Sequence, residues 1–258
     1  MNLIYKIKLI IWYLKYPKYY RHLINFLIFR LARLINKKDE DLISLKNWCN
    51  NNSVNLIQII KILFNENKIF DFYSIPDVLN KKNNKKKINN KLGGSSFCNL
   101  IYNISLYKNP IQALELGVAL GWSSFAFLIS QQNNNNFKLI SNDMPYPFVQ
   151  NNSYIGSVIP ERLKDKWILY KYPDVSILDK IFKLHGKFDI IHYDSDKSYE
   201  GRTKSYKKLY KNLNHNGILI SDDINDNSAF KNFVEEKKLK FYTIEYENRY
   251  LGVIIKND

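Results

Sequence analysis

The chain has 258 residues, 45% hydrophobic and 15% aromatic with 24% charged, enough apolar surface to bury a core, which excludes wholesale disorder, collagen and coiled-coil arrays. Its net charge of +15 is unevenly placed: residues 1–38 hold nine Lys/Arg and no acid, residues 81–91 hold six Lys and no acid, and the other 24 basic residues balance 24 acidic ones. The basicity is therefore local, which argues against nucleic acid as the partner of the folded bulk and for two short electrostatic devices.

The first 36 residues place apolar side chains at helical spacing (Ile4, Ile7, Ile11, Leu14; then Leu23, Phe26, Leu27, Leu31, Leu34) among lysines and arginines. Pro17 splits them into two helices. Lysines interrupt the apolar stretch and no small-residue cleavage site follows, so it is not read as a secretory signal. Two readings stay open: a peripheral contact of residues 1–36 with an anionic membrane surface, or a helical cap packed on the rest of the chain. No apolar run reaches the ~18 residues that span a bilayer. Cys49 and Cys98 form neither a disulfide framework nor a metal-ligand spacing. The expected location is cytoplasmic, with the inner face of a membrane as the alternative.

Residues 39–80 read as further helix, with Leu42, Leu45, Trp48 and then Leu56, Ile59, Ile60, Leu63 in register. Residues 81–95, charged, Asn-rich and carrying Gly93-Gly94, read as a linker. The expected division is a basic helical segment over 1–92 and a second domain over 93–258.

After residue 96 short apolar runs alternate with helical stretches: Ala113–Leu116, Lys138–Ser141, Trp167–Tyr170, Phe188–Tyr193, Gly217–Ser221, Phe241–Glu245 and Tyr250–Ile255. Alternation predicts βαβ units, hence an α/β, Rossmann-like, doubly wound sheet of mostly parallel strands. The last two runs are too close for a crossover helix and predict a C-terminal antiparallel hairpin.

The stretch Ala113-Leu-Glu115-Leu-Gly117-Val-Ala-Leu-Gly121-Trp-Ser123-Ser124 is a strand running through glycines into a helix. Gly117 and Gly121 allow a turn and a close approach, and Ser123 or Ser124 can cap the helix. The spacing fits neither Gly-x-Gly-x-x-Gly nor a P-loop. Glu115 beside the turn would repel phosphates and suit a cation such as a sulfonium. The next strand ends in Asp143, where a ribose diol is held in such folds. Asp174, after the third strand, lies where an adenine ring would be flanked.

A second constellation ends the fourth and fifth strands: Tyr193-Asp194-Ser-Asp196-Lys197 and Ser221-Asp222-Asp223. Neighbouring strands lie ~4.8 Å apart, so Asp194, Asp222 and Asp223 would repel unless protonated or joined by a cation. Oxygen ligands alone suit Mg²⁺, Mn²⁺ or Ca²⁺.

Residues from about 96 to 258 resemble class I S-adenosylmethionine-dependent methyltransferases, in the branch near bacterial sugar and polyketide O-methyltransferases and the catechol and caffeoyl-CoA enzymes. The resemblance implies that Glu115, Gly117, Gly121, Ser123 and Asp143 line the cofactor site. The metal-dependent relatives carry Asp-x-x-Lys after the fourth strand, matched here by Asp194-Ser-Asp-Lys197, and Asp-Asn after the fifth, where this chain has Asp222-Asp223. The implied activity is methylation of a hydroxyl on a small molecule or glycan. A Mg²⁺ or Mn²⁺ ion on Asp194, Asp222 and Asp223 would acidify the hydroxyl, with Lys197 as base and Asp196 or His192 in reserve. Tyr146, Phe148 and Tyr154 are candidate acceptor contacts. The alternatives are a metal-independent enzyme using Lys197 or Asp196 as base, and a basic binding module with a vestigial cofactor pocket. The oligomeric state is not legible.

Overall fold

The computed structural model describes residues 3–20, 23–24, 27–28, 41–83, 94, 97–145 and 154–257. Ahead of the sheet the chain forms α1 (Leu3–Lys15), α2 (Leu42–Asn51), α3 (Leu56–Phe64), α4 (Pro76–Asn83) and α5 (Cys98–Lys108), with further helical residues at 23–24 and 27–28. Proline at 17 ends α1 and opens a single 3-10 turn, Pro17–Tyr19. Asp41 caps α2 by accepting from the Ile43 and Ser44 amides, and Asn55 with Gln58 forms a reciprocal capping box on α3. The expected boundary at 92/93 and most of the linker lie outside the described residues.

From residue 112 strands and helices alternate: β1 (Gln112–Leu116), α6 (Trp122–Ser130), β2 (Lys138–Asn142), β3 (Trp167–Tyr170), α7 (Asp174–His185), β4 (Phe188–Tyr193), α8 (Tyr199–Lys211), β5 (Leu213–Ser221), α9 (Ala229–Glu236), β6 (Lys240–Tyr246) and β7 (Arg249–Ile255). They form one seven-stranded sheet in the order β3-β2-β1-β4-β5-β7-β6. The first five are mutually parallel and β7 runs antiparallel to both β5 and β6. This is the doubly wound α/β sheet with a terminal hairpin that the alternation predicts. The other strands agree with the expected runs to within one residue at each end, whereas β5 starts at Leu213, four residues before Gly217. Its pairing to β4 shifts register between Phe188 and Ile190, and Asn216 adopts a positive φ of 57°. The irregular Asn-His-Asn stretch there imitates a turn.

Period-two alternation sends successive side chains to opposite faces. Ala113, Leu139, Ile190, Ile218 and Val253 pack on one side with α5 and α6, and with Ile59, Ile60, Phe72 and Val78 from the helical segment. Leu114, Ile140, Ile191, Leu219 and Ile254 pack on the other with α7, α8 and α9. Helix α2 reaches the hairpin edge, where the Thr243 hydroxyl donates to the Cys49 carbonyl at 2.6 Å and Trp48 stacks on Phe241.

Candidate active site

The carboxyl ends of β1, β2 and β4 are stitched together beyond the strands. The Gly117 amide donates to the Asn142 carbonyl at 2.9 Å, and the Asp194 amide to the Leu116 carbonyl at 2.7 Å. Gly117 sits at φ +91°, and a Cβ there would overlap the Asp194 carbonyl. At Gly121, φ +89°, a Cβ would lie 2.8 Å from the Gly156 Cα. Both glycines are thus demanded by the close approach of neighbouring chain, whereas the sequence left open a ligand.

Glu115 corrects a second expectation. Its carboxylate is fully buried and points into the protein. It accepts from Ser123 at 2.5 Å, from Ser141 at 2.8 Å and from Ser124. Ser123 therefore does not cap α6, whose N-cap is Gly121; it ties the helix to the sheet. Register explains the cluster: Ser141 on β2 and His192 on β4 flank Glu115 on β1, so all three share the α6 face. A buried carboxylate needs such donors, because an unpaired charge there would be costly.

Asp143 does face the glycine turn. One oxygen accepts from the Ala119 amide at 2.7 Å and the Val118 amide at 3.3 Å. Burial, only partly offset by those amides, pushes its carboxyl up to about 7. Asp174 opens α7, and Asn142, also bonded to the Tyr172 backbone, donates to it at 2.7 Å. Burial raises Asp174 to about 6, against the pull of Ser195 and Asn142. The structure thus brings Gly117, Asp143 and Asp174 to the tips of three adjacent strands.

At the tips of β4 and β5 the ion pairs decide the chemistry. The Lys197 ammonium lies 3.0 Å from Asp194 Oδ1 and also contacts Asp223. Burial lowers its proton affinity, but the two carboxylates outweigh burial and hold it above the usual lysine range. Lys197 is therefore a fixed ammonium, which opposes the expected role of base. Asp194, raised mainly by burial and next by Asp222, is about a third exposed. Asp222 turns instead to His192, whose Nε2 lies 3.0 Å from Asp222 Oδ1, with Nδ1 3.9 Å from Glu115 Oε1. Burial disfavours the imidazolium, yet the two carboxylates raise it to about 10. Asp223 adopts φ +50° and also faces Arg249 Nη1 at 3.7 Å. Asp196 accepts from the Ser198 amide at 2.9 Å, at the start of α8.

The expected metal set is not assembled: among the described residues no three His, Cys, Asp or Glu side chains gather to hold an ion. Three acids at adjacent tips do require a cation, and Lys197 and His192 supply it from within the chain. Tyr146 and Phe148 lie outside the described residues, and Tyr154 is buried in the core beside α6.

Sequence reasoning missed Arg202 and Arg249. Arg202, fully buried on α8, donates to the Asp222 carbonyl at 3.0 Å and faces Asp226 at 3.8 Å, fixing the turn that carries Asp222 and Asp223. A lone arginine in a polar helix gives no such signal. The Glu115–His192 row was accessible, as a polar residue one position before the end of each of two apolar strands.

Residues 114–224 match the family described as a methyltransferase domain. No curated protein matches the chain. Solved structures that resemble it include an O-methyltransferase from Bacillus cereus in complex with S-adenosylhomocysteine (TM-score 0.54, 12% identity, covering 82% of this chain and 100% of that one). A second is the O-methyltransferase TomG from Streptomyces achromogenes, involved in tomaymycin synthesis and in complex with S-adenosylmethionine (0.56, 10%, 81% and 99%). A third is a methyltransferase from Geobacter sulfurreducens (0.53, 15%, 74% and 98%). Residues 114–224 therefore match a methyltransferase domain, and the chain shares the fold of these solved O-methyltransferases.

Proposed function

We propose that the chain transfers the methyl group of S-adenosylmethionine to a hydroxyl oxygen of a small molecule or sugar, with the donor against Gly117, Asp143 and Asp174 and the acceptor between Asp194, Lys197 and Asp223. One observation carries the reading: Gly117 and Asp194 abut backbone to backbone, so a donor at the glycine turn lies beside an ammonium held between two carboxylates. The sulfonium carbon is already electrophilic, so the protein's task is to orient the oxygen and lower its proton affinity. The S–CH₃ bond breaks as the O–CH₃ bond forms, and the leaving group is a neutral thioether. Lys197, kept protonated, donates to the oxygen as negative charge develops. Asp194 takes the hydroxyl proton.

A divalent ion, which the resemblance implies, does not fit the residues as arranged. Two of its three ligands are engaged by Lys197 and the third by His192, so the reading routes no step through a metal. The test is methyl transfer from labelled S-adenosylmethionine to a panel of diols and sugars, before and after dialysis against EDTA. Turnover unchanged within about twofold is the expected result. Loss on chelation, restored by Mg²⁺ or Mn²⁺, would overturn the metal-free reading, and no transfer to any hydroxyl would overturn the reaction.

A further inference from the structure

Helix α1 has two apolar faces, and the molecule uses one of them. At about 100° per residue, Trp12 and Tyr13 project opposite to Ile7, Ile11 and Leu14. The aromatic face is the one covered: Tyr13 and Tyr19 are buried, Trp12 stacks on Tyr19 with ring centres 5.0 Å apart, and the Tyr19 hydroxyl reaches the Lys171 carbonyl beyond β3. Lys18 lies over the rings of Tyr19 and Tyr172, clamping the turn to that edge. The aliphatic face is bare. Ile7 is 49% exposed, Ile11 47% and Leu14 64%, and farther along the chain Ile24, Leu27 and Ile28 are 56%, 48% and 54% exposed.

A row of exposed isoleucines and leucines is unfavourable in water and marks a contact surface. Its chemistry selects the occupant. Residues 1–38 contain nine Lys/Arg and no acid, and the exposed Lys15 flanks the stripe. Residues 1–38 of two copies would together carry eighteen Lys/Arg and no acid, so this segment offers a second copy no counter-charge. An anionic lipid surface supplies both missing parts, an apolar layer for the aliphatic side chains and negative headgroups for the lysines. No helix among the described residues is long and apolar enough to cross a membrane, so the contact lies in the plane of the surface.

We infer that α1 and the helical residues after it dock the protein on an anionic bilayer through Ile7, Ile11 and Leu14 while its aromatic face holds the domain. The cap and the membrane contact, alternatives in the sequence, are then two sides of one helix. The inference does not depend on methyl transfer.

The test is co-sedimentation of the full chain with vesicles of phosphatidylglycerol and phosphatidylcholine, and with vesicles of phosphatidylcholine alone. Binding to the anionic vesicles only is expected. A triple variant, Ile7→Gln, Ile11→Gln and Leu14→Gln, should weaken that binding about tenfold or more while leaving the thermal midpoint unchanged, because the three side chains touch little of the fold. Absence of binding to anionic vesicles would overturn the inference, as would equal binding to both vesicle types or a triple variant that sediments like the parent. A dimer in sedimentation velocity that the triple variant converts to monomer would also overturn it, by assigning the face to a second copy.

Discussion

The two halves of the site neutralise their acids by different means. Around β1, β2 and β3, Glu115, Asp143 and Asp174 are held by serine hydroxyls, backbone amides and an asparagine, with no Lys or Arg ion pair among the described residues. Around β4 and β5, Asp194, Asp222 and Asp223 are matched by Lys197, His192 and Arg249. Dipoles satisfy hydrogen-bonding capacity without supplying a counter-charge, so Asp143 and Asp174 have no cation beside them, while Glu115 has His192 at 3.9 Å. The first half therefore keeps an attraction for a cationic ligand, and the second is close to internally balanced. That difference favours a sulfonium on one side and a neutral alcohol on the other.

Breaking the boundary between the halves should have the largest effect. Gly117→Ala places a Cβ into the Asp194 carbonyl at a positive φ. Strain of ~1–3 kcal/mol from the backbone alone adds to that overlap, so donor binding should vanish in calorimetry. The thermal midpoint should fall by ~2–4 °C for each kcal/mol lost. An unchanged midpoint would mean that the two loops do not meet as described.

Within the balanced half, Asp194→Ala and Lys197→Met should each lower kcat by about 100-fold or more while donor affinity stays within a few-fold. Their double variant should cost little beyond either single one, since each removes the same charge pair. Additive losses in a full kinetic cycle would show that the two act separately.

The unbalanced half should respond to pH. Asp143 is raised to about 7, mainly by burial, and its ionised form accepts more strongly from a ribose hydroxyl. A ligand that selects the carboxylate must bind more weakly as pH falls through about 7 and reach full affinity above it. Asp143→Asn should flatten that profile; a wild-type profile that is already flat between pH 6 and 8 would remove Asp143 from the donor site.

The smallest effect belongs to the serines. Ser123→Ala leaves Glu115 with two hydroxyl donors in place of three, a loss of ~1–3 kcal/mol in stability with donor affinity little changed. A donor affinity lost in full by chemical denaturation controls of equal stability would return Ser123 to the binding surface.

Much of the fold was legible because the strands are short apolar runs separated by helical stretches, and that signal is local. Trp167–Tyr170 and Phe188–Tyr193 coincide with β3 and β4, while Leu213–Asn216 hid in a sequence that imitates a turn. The site was legible as positions and not as partners. Asp194 and Lys197 three residues apart suggest a metal ligand and a base, yet Asp223 reaches the same ammonium from the neighbouring strand and makes it a fixed cation. Glu115 beside a glycine turn suggests a ligand contact, but strand register turns it toward Ser141 and His192. Spacing along the chain reports which residues reach a strand tip. Cross-strand register determines what each one faces.

The central claim is a donor site whose acids await a cation, separate from an acceptor site whose acids already have one. Calorimetric titration of S-adenosylmethionine into the parent chain, Asp143→Ala and Asp194→Ala tests it most directly. The account predicts one site per chain, weakened about tenfold or more by Asp143→Ala and within a few-fold of the parent in Asp194→Ala. No heat with the parent chain, or equal loss in both variants, would contradict it.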